Sequence, residues 1–139
     1  MIILAIDPGT TVGYSVYNTE KDTIDYNQVP NQVFPQILHH YMPVDVVVYE
    51  RYHIERVGQE TIAAEVIGML RFCEYFWDSK LVTQEPSALK FIDNMFQWKK
   101  RRFINRGIHS FDAFRHLLFY LYKNNGKELV EKVLNEVTL

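Results

Sequence analysis

IILAIDPGTTVGYSV, residues Ile2 to Val16, sets one carboxylate between a fully apolar strand and a glycine-bearing turn. Ile2 to Ile6 show no polar alternation, as expected for a strand covered on both faces in the middle of a sheet. Asp7 therefore falls where a core strand surfaces. Pro8 and Gly9 break the strand and Val12 to Val16 resumes a β-rich pattern, so the unit reads as a hairpin whose turn presents Asp7, Thr10 and Thr11. Standing alone, the segment is accounted for by a plain Asp-Pro-Gly turn, since all three residues favour turns for local backbone reasons. A chemical reading needs carboxylates from elsewhere.

The next elements supply one. Thr23 to Val29 predicts a third strand after the polar turn Asn18 to Asp22, which gives three sequential antiparallel strands. Pro30 and Asn31 predict the start of a helix to about Tyr41, with Val33, Ile37, Leu38 and Tyr41 at helical spacing and Pro43 as its stop. VDVVVYE, Val44 to Glu50, is a second apolar strand that again delivers a carboxylate at its C-terminal end. The helix before it suggests parallel pairing beside the first strand. Asp7 and Glu50 then become neighbours at carboxyl ends of strands, where open sheets with helical crossovers place functional sites.

Gly58 to Trp77 is the longest helical pattern. Ile62, Val66, Met69, Leu70, Cys73, Phe76 and Trp77 form an apolar face wider than one sheet needs, which leaves part of it for a partner. Leu81 to Thr83 predicts a short strand, and Pro86 and Ser87 start a helix through about Phe96. In HSFDAFRHLLFYLY, His109 to Tyr122, the residues Phe111, Phe114, Leu118 and Leu121 mark a buried helical face. His109 and Asp112, three apart, share a neighbouring one. Lys127 to Val137 reads as a last amphipathic helix with no chemistry of its own.

At 139 residues the chain is expected to form one domain over 1–139, so any active site lies on a single sheet. The lone Cys73 excludes an internal disulfide framework and a cysteine-rich zinc site; it reads as a small buried hydrophobe suited to a reducing compartment. The first apolar run is too short for a signal-peptide core, and no segment approaches membrane-spanning length, so a cytoplasmic protein is expected. A formal net charge of −2 disfavours a protein that coats nucleic acid by bulk electrostatics. The run KKRRFINR, Lys99 to Arg106, nevertheless concentrates positive charge around Phe103. That pattern fits either a local nucleic-acid patch or a solvated loop.

Asp7, Glu50 and Asp112 are hard oxygen ligands of the kind that Mg²⁺ or Mn²⁺ prefers, and close carboxylates repel unless a cation joins them. Two such ions can activate a water and stabilise the leaving oxygen in phosphodiester hydrolysis without a protein nucleophile. His109 fits a fourth ligand, a group orienting the attacking water, or a histidine packed at a helix start. Asp112 is also served by its place in a helix's first turn, where exposed amides favour acids.

Asp7 within AIDPGTTVGY, Glu50 after VDVVVY, the segment TQEPSALK (Thr83 to Lys90) and the H-x-x-D of His109 and Asp112 together resemble the RuvC-type Holliday-junction resolvases. The resemblance spans most of the chain and rests on four motifs in order, each weak alone. It implies an α/β, RNase H-like fold: a five-stranded mixed sheet of three antiparallel strands plus two parallel, flanked by helices. It further implies a homodimeric Mg²⁺-dependent endonuclease, with Mn²⁺ as substitute, that cuts four-way DNA junctions. Asp7, Glu50, His109 and Asp112 match the metal site. Lys90 matches a lysine that contacts the scissile phosphate or backbone, and the helix 58–77 matches the dimer helix. After the second acid, Tyr52 or His53 matches an aromatic that stacks on junction bases, opening the junction rather than supplying affinity. Arg51 beside them, Thr10 and Thr11 in the hairpin, and Lys99, Lys100, Arg101, Arg102 and Arg106 complete the expected DNA-binding set. The chain departs from typical cellular members in its shorter length, fewer basic residues and a histidine where many have an aspartate. In these respects it resembles the compact members encoded by bacterial phages.

Three other readings compete. A less selective RNase H-like nuclease on branched DNA or RNA shares the superfamily, although the small pre-rRNA-processing relatives lack the strand-end glutamate. Actin-like and Hsp70-like ATPases also use D-x-G-T-T, with Gly9, Thr10 and Thr11 as phosphate donors, but need a second lobe and a second phosphate hairpin. A non-catalytic nucleic-acid-binding protein of the same fold would have no need of all three acids.

Overall fold

The computed structural model describes residues 1–51, 60–97 and 106–137. Its sheet has five strands, β1 (Ile2–Asp7), β2 (Thr11–Asn18), β3 (Thr23–Pro30), β4 (Val46–Glu50) and β5 (Lys80–Gln84), in the order β3-β2-β1-β4-β5. β1 to β3 are antiparallel in sequence, while β4 runs parallel to β1 and β5 parallel to β4. The helices are α1 (Phe34–Tyr41), α2 (Glu60–Trp77), α3 (Ser87–Phe96), α4 (Ile108–Asn125) and α5 (Lys127–Val137). This is the expected three-plus-two mixed sheet with flanking helices.

The apolar run of β1 has the burial predicted for a central strand, Ile3 to Ile6 being at most 1% exposed. Its side chains split by strand parity into two cores. Ile3 and Ala5 join Val46, Val48, Tyr17 and Tyr26 beneath α3, α4 and α5, whereas Leu4 and Ile6 join Val47, Tyr49 and Val16 beneath α1 and α2. Asp7 continues the Ile3 and Ala5 parity, and Glu50 that of Val46 and Val48. Both acids therefore leave the sheet on the α4 side.

Several boundaries differ from the sequence reading. The first helix starts at Phe34 rather than at Pro30 or Asn31, because Pro30 still pairs with Thr11 as the last residue of β3. The Asn31 amide donates to the Thr10 carbonyl at 3.0 Å, closing that turn before Pro35 occupies the first helical turn. β4 begins two residues later than Val44, and β5 extends one residue beyond the expected strand at each end. On α4, Phe111 is only half-buried against Tyr26, and the fully buried positions include His116 as well as Phe114, Leu117, Leu118 and Leu121. Cys73 is free and buried, as its sequence setting predicts. Among the described residues no helix is long and apolar enough to cross a membrane. Gly58, Tyr52, His53, Lys99, Lys100, Arg101, Arg102 and Phe103 lie outside the described residues.

Candidate metal centre

The site forms where α4 crosses the strand ends, and one glycine permits that crossing. Gly13 is the register partner of Asp7. A Cβ at Gly13 would overlap the His109 carbonyl and come within 2.9 Å of the Ser110 amide nitrogen, so the helix start rests directly on strand backbone. The start is itself secured from the sheet. Gly107 takes φ +101°, a conformation that favours glycine, and packs on the Gln28 side chain of β3. Gln28 Oε1 accepts the His109 amide at 3.1 Å, satisfying one of the orphan donors of a helix N-terminus from another element.

His109 thus stands over Asp7, its Nδ1 2.8 Å from Asp7 Oδ2. Asp7, His109 and Asp112 each offer a ligand atom, and these atoms lie within 4.8 Å of one another. Burial pushes the Asp7 carboxyl up to about 6; the His109 hydrogen bond opposes the rise, while the negative charges of Asp112 and Glu50 add to it. An acid so placed is one whose ionised form lacks enough positive charge nearby, and a divalent cation would provide it. Hard carboxylate oxygens and an imidazole nitrogen at this spacing fit Mg²⁺ or Mn²⁺.

Glu50 sits at the adjacent strand end, one position beyond the Ile6–Tyr49 pair, and does not share that 4.8 Å set. Its Oε2 lies 2.9 Å from Nε2 of His116, whose Nδ1 lies 2.7 Å from Gln84 Oε1. Asp112 is engaged by Arg115 of the same helix, which also pairs with Asp93 of α3 at 2.7 Å. Each of the three acids therefore has one oxygen held by a nitrogen group and a second left for an ion. Gly13, Gln28, Gln84, Arg115 and His116 escaped the sequence reading. The signals were present: a glycine interrupting a strand, and a histidine four residues after Asp112 on the helical face that also carries His109.

Of the expected DNA-binding residues, Thr10, Thr11, Arg51, Lys90 and Arg106 are among the described ones. Thr10 is exposed and Thr11 half-buried in the hairpin beside Asp7. Arg51 is exposed, its amide donating to the Gln84 carbonyl at 2.7 Å and its guanidinium 3.3 Å from Glu85. Lys90 is exposed on α3. Arg106 lies 5.4 Å above the Tyr26 ring and 3.8 Å from Asp25, at the β3 edge.

No protein-family model and no curated protein matches the sequence. Solved structures do. RuvC of Thermus thermophilus in complex with a Holliday junction substrate aligns with a TM-score of 0.64 at 15% identity, covering 91% of this chain and 97% of that one. A further Thermus thermophilus RuvC structure gives 0.60 at 17% identity over the same shares. A fowlpox virus resolvase with substrate Holliday junction DNA gives 0.48 at 15% identity, covering 80% and 94%, too distant a likeness to carry an argument. The shared feature at these identities is the fold, which is that of RuvC.

Proposed function

We propose that this chain, built on the fold of RuvC, is a divalent-metal-dependent endonuclease that resolves four-way or otherwise branched DNA junctions. The observation that carries the reading is the set of Asp7, His109 and Asp112 within 4.8 Å, beside Glu50 at the next strand end. The Holliday junction substrate in the Thermus thermophilus RuvC complex supports the choice of substrate. The metal is Mg²⁺, replaceable by Mn²⁺, in a two-ion arrangement. Bound there, the ions would supply Lewis-acid stabilisation of the phosphate and activation of a water.

The protein's own part is to hold and orient. Asp7 and Asp112 furnish the central oxygens, and Glu50 adds one from β4. His109 keeps Asp7 in place through Nδ1, which leaves Nε2 as a further ligand to an ion or a group that orients the attacking water. Thr10, Thr11, Arg51 and Lys90 line the approach for the DNA backbone, with Lys99, Lys100, Arg101, Arg102 and Arg106 along one arm and Tyr52 or His53 at the junction centre. A homodimer through α2 places two such sites on one junction. Its support is an exposed aromatic row, Phe72 at 53%, Tyr75 at 85% and Phe76 at 59%. One nuclease domain across 1–139, acting in a reducing cytoplasm and of the compact phage type, completes the proposal.

Cleavage of a four-way junction, a fork, plain duplex and an RNA–DNA hybrid with Mg²⁺ tests it. Asp7→Asn, Glu50→Gln or Asp112→Asn should each reduce junction cleavage by about 10³-fold, equivalent to losing several kcal/mol of charge stabilisation, with binding retained. Full activity in any one would remove that residue from the metal site, and equal cutting of all four substrates would favour the less selective nuclease. Neutralising Lys99, Lys100, Arg101 and Arg102 together should weaken binding and flatten its dependence on log salt, by about 0.9 for each phosphate that the protein no longer neutralises. An unchanged slope would make the run a solvated loop.

A further inference from the structure

His116 is 0% exposed and stands four residues beyond Asp112, so α4 carries His109, Asp112 and His116 along one face across the ends of β1, β4 and β5. Phe114 and Leu117, close to it in the chain, belong to the apolar core on this side of the sheet. Both ring nitrogens have partners: Nε2 meets Glu50 Oε2 at 2.9 Å and Nδ1 meets the Gln84 side-chain amide at 2.7 Å. Those two partners are themselves paired across the sheet, Glu50 with Gln84. One imidazole therefore ties a helix to two adjacent strand ends.

A carboxylate only accepts, so Nε2 carries the hydrogen and donates it as a hydrogen bond to Glu50 Oε2. Gln84 can turn either its carbonyl or its amide group toward Nδ1, and both arrangements fix the ring. Rotation of the ring would leave buried polar atoms without partners, which is costly in a dry interior.

We propose that His116 is a positioning residue for Glu50. From α4 it holds one carboxylate oxygen and so directs the other toward the ion bound by Asp7 and Asp112, with Gln84 locking the imidazole from β5. This is the outer-shell arrangement of metal sites, with histidine serving the carboxylate. The inference rests on the metal-centre reading above and adds to it a residue that touches no ion.

Mn²⁺ binding to the DNA-free protein, followed by calorimetry, separates the two. His116→Leu should weaken Mn²⁺ binding by about 10-fold to 100-fold, the usual effect of losing such a partner. His116→Gln, which keeps an N–H donor toward Glu50, should recover most of that affinity. Added to Glu50→Gln, His116→Leu should cause no further loss. A merely structural role would instead weaken binding equally in both backgrounds, and that result overturns the inference. So does Mn²⁺ affinity that falls in Glu50→Gln but is unchanged in His116→Leu. Wild-type protein that binds no Mn²⁺, or binds it no better than Glu50→Gln, overturns the metal reading of Glu50 and the inference with it. Where His116→Leu fails to fold, Gln84→Leu takes its place: a loss of several-fold that vanishes in the Glu50→Gln background supports the lock, and an unchanged affinity overturns it.

Discussion

The two faces of the sheet use the same strands for opposite purposes. On the α4 side, alternate residues of β1, β4 and β5 end in Asp7, Glu50 and Gln84, and a helix presses its polar first turns onto them. On the α2 side, the other alternate residues end in apolar side chains such as Ile6 and Tyr49, and the covering helix leaves Phe72, Tyr75 and Phe76 outward. The first face brings charge into a partly dry place, where each group needs a partner. The second keeps charge out and leaves apolar surface of the kind that marks interaction sites. Strand parity alone thus separates the face that carries the proposed metal site from the face that carries the exposed aromatic row.

The sharpest way to break this division is to lift α4 from the strands. Gly13→Ala places a methyl group where the His109 carbonyl now lies. We expect a loss of about 10²-fold or more in cleavage, as for misplacement on the order of 1 Å, with about 1–3 kcal/mol of stability lost to overpacking. Wild-type cleavage by this variant would show that the packing of α4 on β2 does not set the site.

The next effect is electrostatic and confined to the α4 side. Burial raises the Asp7 pKa from 3.8 to about 6, so between those values the folded protein keeps a proton that the unfolded chain has released. Stability of the metal-free protein must therefore fall as pH rises through that window, by up to about 3 kcal/mol for a shift of about two units. Urea unfolding in chelator across pH 4 to 7 measures the slope, and Asp7→Asn should remove this component. A slope that persists undiminished in Asp7→Asn would assign it to other groups. Added Mg²⁺ should counter the loss above about pH 6, where the proton no longer competes.

The smallest effect on the folded protomer belongs to the other face. Replacing Phe72 and Phe76 with serine should leave monomer stability within about 0.5 kcal/mol, because both rings are largely exposed. The same change should cost self-association about 2 kcal/mol or more if these rings are interface anchors. Sedimentation of the variant beside the wild type reads this directly, and an identical monomer–dimer equilibrium would free the aromatic row from that role.

Much of the fold was legible because its signals are local. The unbroken apolar runs of β1 and β4 marked central strands, the prolines at 43 and 86 punctuated helices, and α3 and α5 occupy the residues assigned to them from the sequence. Misreadings arose where a local signal met a distant partner. Pro30 looks like a helix opener, but pairing with Thr11 keeps it in a strand. His116 sits next to Leu117 in a helix whose buried residues are mostly apolar, and nothing nearby in the chain announces Glu50.

The sequence by itself determined that two apolar strands end in acids, that a third acid and a histidine share a helical face, and that the basic charge is clustered. Period-two and period-3.6 patterns are written within a few residues of one another, so they can be read without the fold. Only the tertiary structure decided which nitrogen meets which oxygen. His109 reaches Asp7 across 102 positions of sequence, and His116 reaches Glu50 across 66. Those pairings depend on a helix lying on Gly13 and on the β4–β5 register, and neither has a local signature.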